Sequence, residues 1–159
     1  MKRTILPLFL AMLLLPAANL AAGEGFSFLS FNLGQGFGLY LDGASDDIVS
    51  SSTFGIDFRV AGPLIVGFSR HSFHRRSWGT IPGSMLNIKF DVDSMLRPVL
   101  SFGEAWGMVT GLGFEIIPFR REVGGLVTEF KLAPQYFIWP EDGIGDGLFS
   151  VSLMLGIGF

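Results

Sequence analysis

Phe149-Ser-Val-Ser-Leu-Met-Leu-Gly-Ile-Gly-Phe159 is the stretch that decides how this chain is read. Every second residue, Phe149, Val151, Leu153, Leu155, Ile157 and Phe159, is large and apolar. Between them stand Ser150, Ser152, Met154, Gly156 and Gly158, which are mostly small or polar. Successive side chains of a strand point to opposite faces, so the segment predicts a strand with one unbroken apolar face and one nearly bare face. Its length suits the ~9–11 residues with which a tilted strand crosses a bilayer.

The same alternation recurs upstream. Thr53 to Val60 puts Phe54, Ile56, Phe58 and Val60 on one face and Gly55, Asp57 and Arg59 on the other. Ala61-Gly62-Pro63 reads as a tight turn, and Leu64 to Ser69 returns with Leu64, Val66 and Phe68 on the apolar side. Ser84 to Val92 sets Leu86, Ile88, Phe90 and Val92 against Met85, Asn87, Lys89 and Asp91. Pro98 to Gly103 and Gly107 to Ile117 follow, the second with Leu112, Phe114 and Ile116 opposite Gly111, Gly113 and Glu115. Leu126 to Trp139 alternates Phe130, Leu132, Tyr136 and Ile138 with Val127, Glu129, Lys131 and Ala133. Pro134 within it removes a ladder donor, so an edge or bulge is expected there. Phe26 to Leu41 is read as one long strand through Gly34-Gln35-Gly36, which brings the number to eight, the minimum for single-chain bacterial barrels. Connections are expected at Asp42 to Ser52, His71 to Gly83, Glu104-Ala105 and Pro140 to Gly147 on the outer side. Those at Ala61-Gly62-Pro63, Asp93 to Arg97 and Pro118 to Gly125 fall on the inner side, with a strand extension over Phe119 to Glu122 as the alternative in the last.

The amino-terminal stretch has another character. Lys2 and Arg3 precede an apolar run from Ile5 to Leu15, and small residues cluster from Ala17 to Gly23. This predicts a signal peptide over 1–23, cleaved after Ala22 or Gly23, and a single domain over 24–159. Hydrophobic residues make up 49% of the chain and mean hydropathy is +0.50. Beyond the signal no apolar run approaches the ~18 residues of a spanning-helix candidate, so a closed barrel is the remaining way to satisfy backbone polar groups in lipid. A soluble barrel is the competing solution; it would turn the apolar positions inward. Cysteine is absent, which excludes a lipoprotein anchor and a disulfide scaffold, and a net charge of −3 offers nothing to nucleic acid.

Opposite the apolar faces stand Asp57, Arg59, Lys89, Asp91, Glu115, Glu129 and Lys131. An eight-stranded barrel is only wide enough to be filled by side chains, so these groups are expected to pair with one another in the lumen. A narrow pore gated by exchange of ion pairs is the alternative. Arg70, Arg75 and Arg76 lie in a basic segment expected to be an external loop that holds phosphate, such as that of lipopolysaccharide. A metal site on His71 and His74 lacks a third ligand. A lipid-facing hydrolase would need His71 or His74 beside Ser72 or Ser77 and an acid such as Glu104 or Glu115. Neighbouring strand residues such as His71 and Ser72 face apart, which disfavours it. Asp42, Asp46 and Asp47 lack the ligand spacing of an EF-hand calcium loop. Trp78, Trp106, Trp139, Tyr40 and Tyr136 fall near strand ends, as an interfacial aromatic girdle would.

The segment from Phe149 to Phe159 resembles the closing strand of bacterial outer-membrane β-barrels, whose terminal aromatic residue is part of the signal read by the barrel-assembly machinery. In length and pattern the chain is similar to the outer-membrane protein A barrel and to the outer-membrane protein W and X groups. The resemblance implies an all-β, antiparallel, up-and-down transmembrane β-barrel in the outer membrane, in contact with lipid and lipopolysaccharide. No functional residue is carried over from it. The expectation is a non-enzymatic envelope protein without catalytic, cofactor or metal residues, with a conduit for small or hydrophobic molecules as the alternative.

Overall fold

The computed structural model describes residues 28–41, 48–76, 79–92, 95–139 and 147–159. The signal peptide expected over 1–23, the acidic residues Asp42, Asp46 and Asp47, and Ser77, Trp78 and Asp93 lie outside the described residues. So does most of the loop expected from Pro140 to Gly147.

Eight strands follow one another: β1 (Leu29–Tyr40), β2 (Ile48–Ala61), β3 (Leu64–Arg75), β4 (Gly79–Phe90), β5 (Leu96–Glu104), β6 (Met108–Val123), β7 (Leu126–Ile138) and β8 (Leu148–Gly158). Each pairs antiparallel with its sequence neighbours, and β1 pairs with β8, closing an all-β, up-and-down barrel. Leu33 lies opposite Leu155, and the Phe159 amide donates to the Leu29 carbonyl at 2.9 Å, so the last strand zips onto the first. Phe26 to Leu41 was expected to hold one strand rather than a hairpin, and Leu29–Tyr40 is indeed continuous. Gly34 and Gly36 lie within it because a Cβ there would meet Met154 and Ser152 of β8. Of the two barrel rims, the upper one carries Tyr40, Arg75, Glu104 and Ile138.

Apolar side chains point outward. Phe37 is 69% exposed while Lys131, on an inward position, is 0% exposed. On β8, Phe149, Leu153, Leu155, Ile157 and Phe159 are exposed and Val151 is half-buried, whereas Ser150 and Ser152 are buried. The soluble-barrel alternative required the opposite. Water would penalise this exterior, because burying apolar surface is the main favourable term in folding.

Four prolines lie within strands, and each sits where one ladder is interrupted. Pro134 pairs with Val151 on β8, while β6–β7 pairing skips from Gly113↔Gln135 to Ile116↔Leu132. Pro118 falls in the register shift between Ile116 and Phe119. Pro98 pairs with Phe114 just past the last β4–β5 pair, Lys89↔Val99. Pro82 pairs with Ser72 in the part of β4 that overhangs β5. Each position tolerates a residue without an N–H because no neighbour asks for it.

Three expected connections prove to be strand. β3 continues to Arg75 and β4 begins at Gly79, so most of the span expected as a loop from His71 to Gly83 is barrel wall. β6 continues to Val123 and turns through Gly124 and Gly125, whose positive φ values suit a two-residue hairpin turn, where Pro118 to Gly125 was expected as a connection. β2 begins at Ile48, inside the loop expected from Asp42 to Ser52. In β2, β3 and β4 the cause is polar residues on the outer face, which erase the apolar alternation that marks a strand; in β6 it is the register shift at Pro118.

Candidate functional site

Inward positions build two storeys in the lumen. The lower storey is ionic. Asp57 (β2), Lys89 and Asp91 (at and just beyond the end of β4), Glu115 (β6), and Glu129 and Lys131 (β7) are all buried, and Arg59 is half-buried. Lys89 Nζ reaches Asp57 at 2.7 Å and also pairs with Glu115. Lys131 Nζ reaches Glu129 at 3.0 Å and Glu115 at 3.4 Å. Arg59 pairs with Asp91.

Two cations missing from the sequence reading complete the network. Arg97, expected in a turn, is buried on β5 and reaches Glu115 at 3.1 Å, Glu129 at 3.2 Å and Asp91 at 3.3 Å. Arg120, also expected in a connection, pairs with Glu129 and lies 3.8 Å from Asp91. Among the described residues the lower storey therefore holds five cations against four carboxylates rather than the acidic surplus that the alternation suggested. Arg97 has the parity of Val99 and Ser101, so extending β5 by one inward position would have found it. Arg120 was hidden by the register shift at Pro118.

Neutral groups tie the ionic layer together. Lys131 donates to Asn32 Oδ1 at 2.7 Å, and Asn32 Nδ2 donates to Asp57 Oδ2 at 2.8 Å. Above them Ser101 donates to Asn87 Oδ1 at 2.7 Å and Asn87 donates to Ser69 Oγ at 2.8 Å. His71 Nε2 lies 2.8 Å from the same Ser69 hydroxyl, and its Nδ1 is 3.1 Å from Thr53 Oγ1. The enclosed space at this level is about 20 Å³, room for about one water molecule.

The upper storey is aromatic. His71 stacks on Phe73 with ring centroids 5.6 Å apart, and Phe137 meets both edge-on. Trp139 closes against Phe73 and Phe137 and donates from Nε1 to the Ala105 carbonyl at 2.7 Å. Tyr40, Val49, Ile81, Met85, Val109 and Leu148 fill the remainder. Tyr40 and Trp139 therefore belong to the plug, not to an outer girdle as expected. Trp106 is exposed at the β5–β6 turn, and Tyr136 is half-buried on the outer face of β7.

The basic segment divides between the two faces. Arg75, expected in an external anion-binding loop, is buried at the top of the lumen with its guanidinium 4.8 Å from the centre of the Tyr40 ring. Arg70 and Arg76 are exposed outside. His71 and His74 occupy opposite faces of β3, so one metal ion cannot use both. Ser72 and His74 do share the outer face, where His74 Nδ1 lies 3.0 Å from Thr80 Oγ1. Among the described residues no carboxylate is bonded to His74; Glu115 is in the lumen, and Glu104 stands two strands away at the rim.

No protein-family model matches the sequence, and comparison with curated proteins gives no match. Among solved structures, a chain from the de novo design of transmembrane β-barrels is similar at 12% identity with a TM-score of 0.46. The alignment covers 82% of this chain and 95% of that one.

Proposed function

We propose that the protein is a non-enzymatic, integral β-barrel of the bacterial outer membrane, exported by a cleaved signal peptide, that stabilises the envelope and presents its upper connections to the outside. The observation that carries this reading is the inverted barrel with a filled lumen. Apolar side chains cover the exterior, and a connected ionic layer lies under an aromatic plug. An apolar exterior with a polar interior is the distribution that a bilayer favours in a closed barrel. Lipid and lipopolysaccharide are then the standing partners, and the outward row of β8, from Phe149 to Phe159, is the surface offered to the assembly machinery.

The filled lumen also counts against the conduit alternative, since among the described residues the space beside the ionic layer is only about 20 Å³. Planar-bilayer recording on the purified, refolded barrel tests this. The expected result is no stepwise conductance above the lipid background; a reproducible unitary conductance would replace the structural reading with a pore.

A further inference from the structure

The outer wall is mostly apolar, but its upper half turns polar on one side. Register carries one row of outward residues across five strands: Phe130 on β7, Leu155 on β8, Leu33 on β1, Phe54 on β2 and Arg70 on β3. Continued through Ser84 on β4, the row reaches Glu104, the last residue of β5 on the upper rim. The row thus climbs the barrel, with Arg70 in the upper half of β3 and Phe130 deep. One position higher, Gln35, Ser52 and Ser72 lie side by side on β1, β2 and β3.

From Phe130 to Arg70 the row lines one shallow groove of about 630 Å³ together with Gln35, Ser52 and Ser72. Its polar end holds Arg70, Gln35, Ser52 and Ser72, and its apolar end holds Leu33 and Leu155. Arg70 is exposed and, among the described residues, has no hydrogen-bond or ion-pair partner. A lone guanidinium on a lipid-facing wall is unfavourable unless a counter-charge meets it. Phosphate is the anion that its planar fork suits, and the neighbouring hydroxyls and amide add donors. A second groove shares Arg70 but also contains Glu104, whose carboxylate would repel a phosphate.

We propose that the groove over β1–β3 binds a phosphate-bearing membrane lipid, its headgroup on Arg70 and an acyl chain descending over Leu33 and Leu155. The proposal rests on the membrane reading above. It deepens the expected role of the arginines by assigning that role to Arg70 and removing Arg75, which lies in the lumen.

Native mass spectrometry of the folded barrel in neutral detergent tests it, with dioleoylphosphatidylglycerol as the probe. The wild type is expected to hold this lipid, and Arg70→Ala to weaken it about tenfold, as loss of a charge-assisted contact implies. Arg76→Ala, at an exposed rim position, is expected to leave binding unchanged. Neither dioleoylglycerol, which lacks the phosphate, nor inorganic phosphate, which lacks the chains, should displace the lipid. Wild-type affinity in Arg70→Ala would overturn the site, as would displacement by inorganic phosphate alone. Unheated gel migration verifies that each variant is folded. A detergent-folded barrel indifferent to Arg70 refutes this site only, whereas a protein that stays monomeric in water without detergent refutes the membrane reading itself.

Discussion

Lys131 on β7 donates its ammonium to Asn32 on β1 at 2.7 Å, and the same Asn32 amide donates to Asp57 on β2 at 2.8 Å. A neutral side chain thereby links a buried cation to a buried anion on the far side of the β1 seam. With Lys89 joining Asp57 to Glu115, and Glu115 lying 3.4 Å from Lys131, the partners form a ring across the lumen.

Members of such a ring differ in what their removal leaves behind. Lys131→Met strips Glu115 and Glu129 of a cation while both remain buried, and loss of one partner of a buried pair costs ~3–5 kcal/mol. Asn32→Leu leaves Asp57 paired with Lys89, and Lys131 paired with Glu129, so only Asn32's hydrogen bonds to the two ions are lost, about 1–3 kcal/mol. Urea unfolding of the barrel in lipid vesicles should rank Lys131→Met clearly below Asn32→Leu. Equal midpoints would mean that the ionic layer is solvated rather than dry.

The two storeys seal the lumen independently. Phe73→Ala with Phe137→Ala removes the upper plug but leaves the ionic layer, and Lys131→Met loosens the lower layer but leaves the aromatics. Each should stay electrically silent in planar bilayers, and only their combination should conduct. Current through either partial variant would show that one storey alone had been the barrier.

The β1–β8 seam depends on close approach. A Cβ at Gly36 would lie 2.5 Å from the Val151 carbonyl oxygen and 2.8 Å from the Ser152 Cα, so backbone would have to shift. Gly36→Val is expected to destabilise the barrel by ~1–3 kcal/mol or more, as overpacking does. The readout is a reduced fraction of compact, unheated species on gels. Gly62→Val, at a turn where an added Cβ meets nothing within 4 Å, separates crowding from backbone conformation.

Trp139→Phe keeps much of the plug's bulk but leaves the Ala105 carbonyl without its 2.7 Å donor. An unsatisfied buried acceptor costs about 1–3 kcal/mol. The expected signature is a lower urea midpoint with unchanged β content by circular dichroism; an unchanged midpoint would mean that another donor replaces the indole.

Period-two alternation made the barrel legible wherever the outer face is greasy, as from Phe54 to Val60 or from Phe149 to Phe159. It failed where the outer face turns polar. Ser50 and Ser52 on β2, and Ser72 and His74 on β3, present no apolar period, so those upper strand halves read as loops. The inner face still carried a signal there, in Phe73, Ile81 and Met85, but a strand whose buried side is apolar and whose outer side is polar looks like a soluble one. The lumen charges were readable from parity alone. Arg97 and Arg120 were not, because each lies beside a proline-disturbed ladder where strand limits and register are hard to place. The single loop expected to carry all three arginines gave way for the same reason: once β3 reaches Arg75, alternation sends Arg75 inward and leaves Arg70 outside.

The central claim is that this is a folded barrel whose apolar exterior faces lipid. Cell fractionation followed by gel electrophoresis with and without heating tests it most directly. Recovery in the membrane fraction, extraction only by detergent, and a different mobility before boiling are expected. Recovery as a soluble species in the absence of detergent, with one mobility before and after heating, would contradict it.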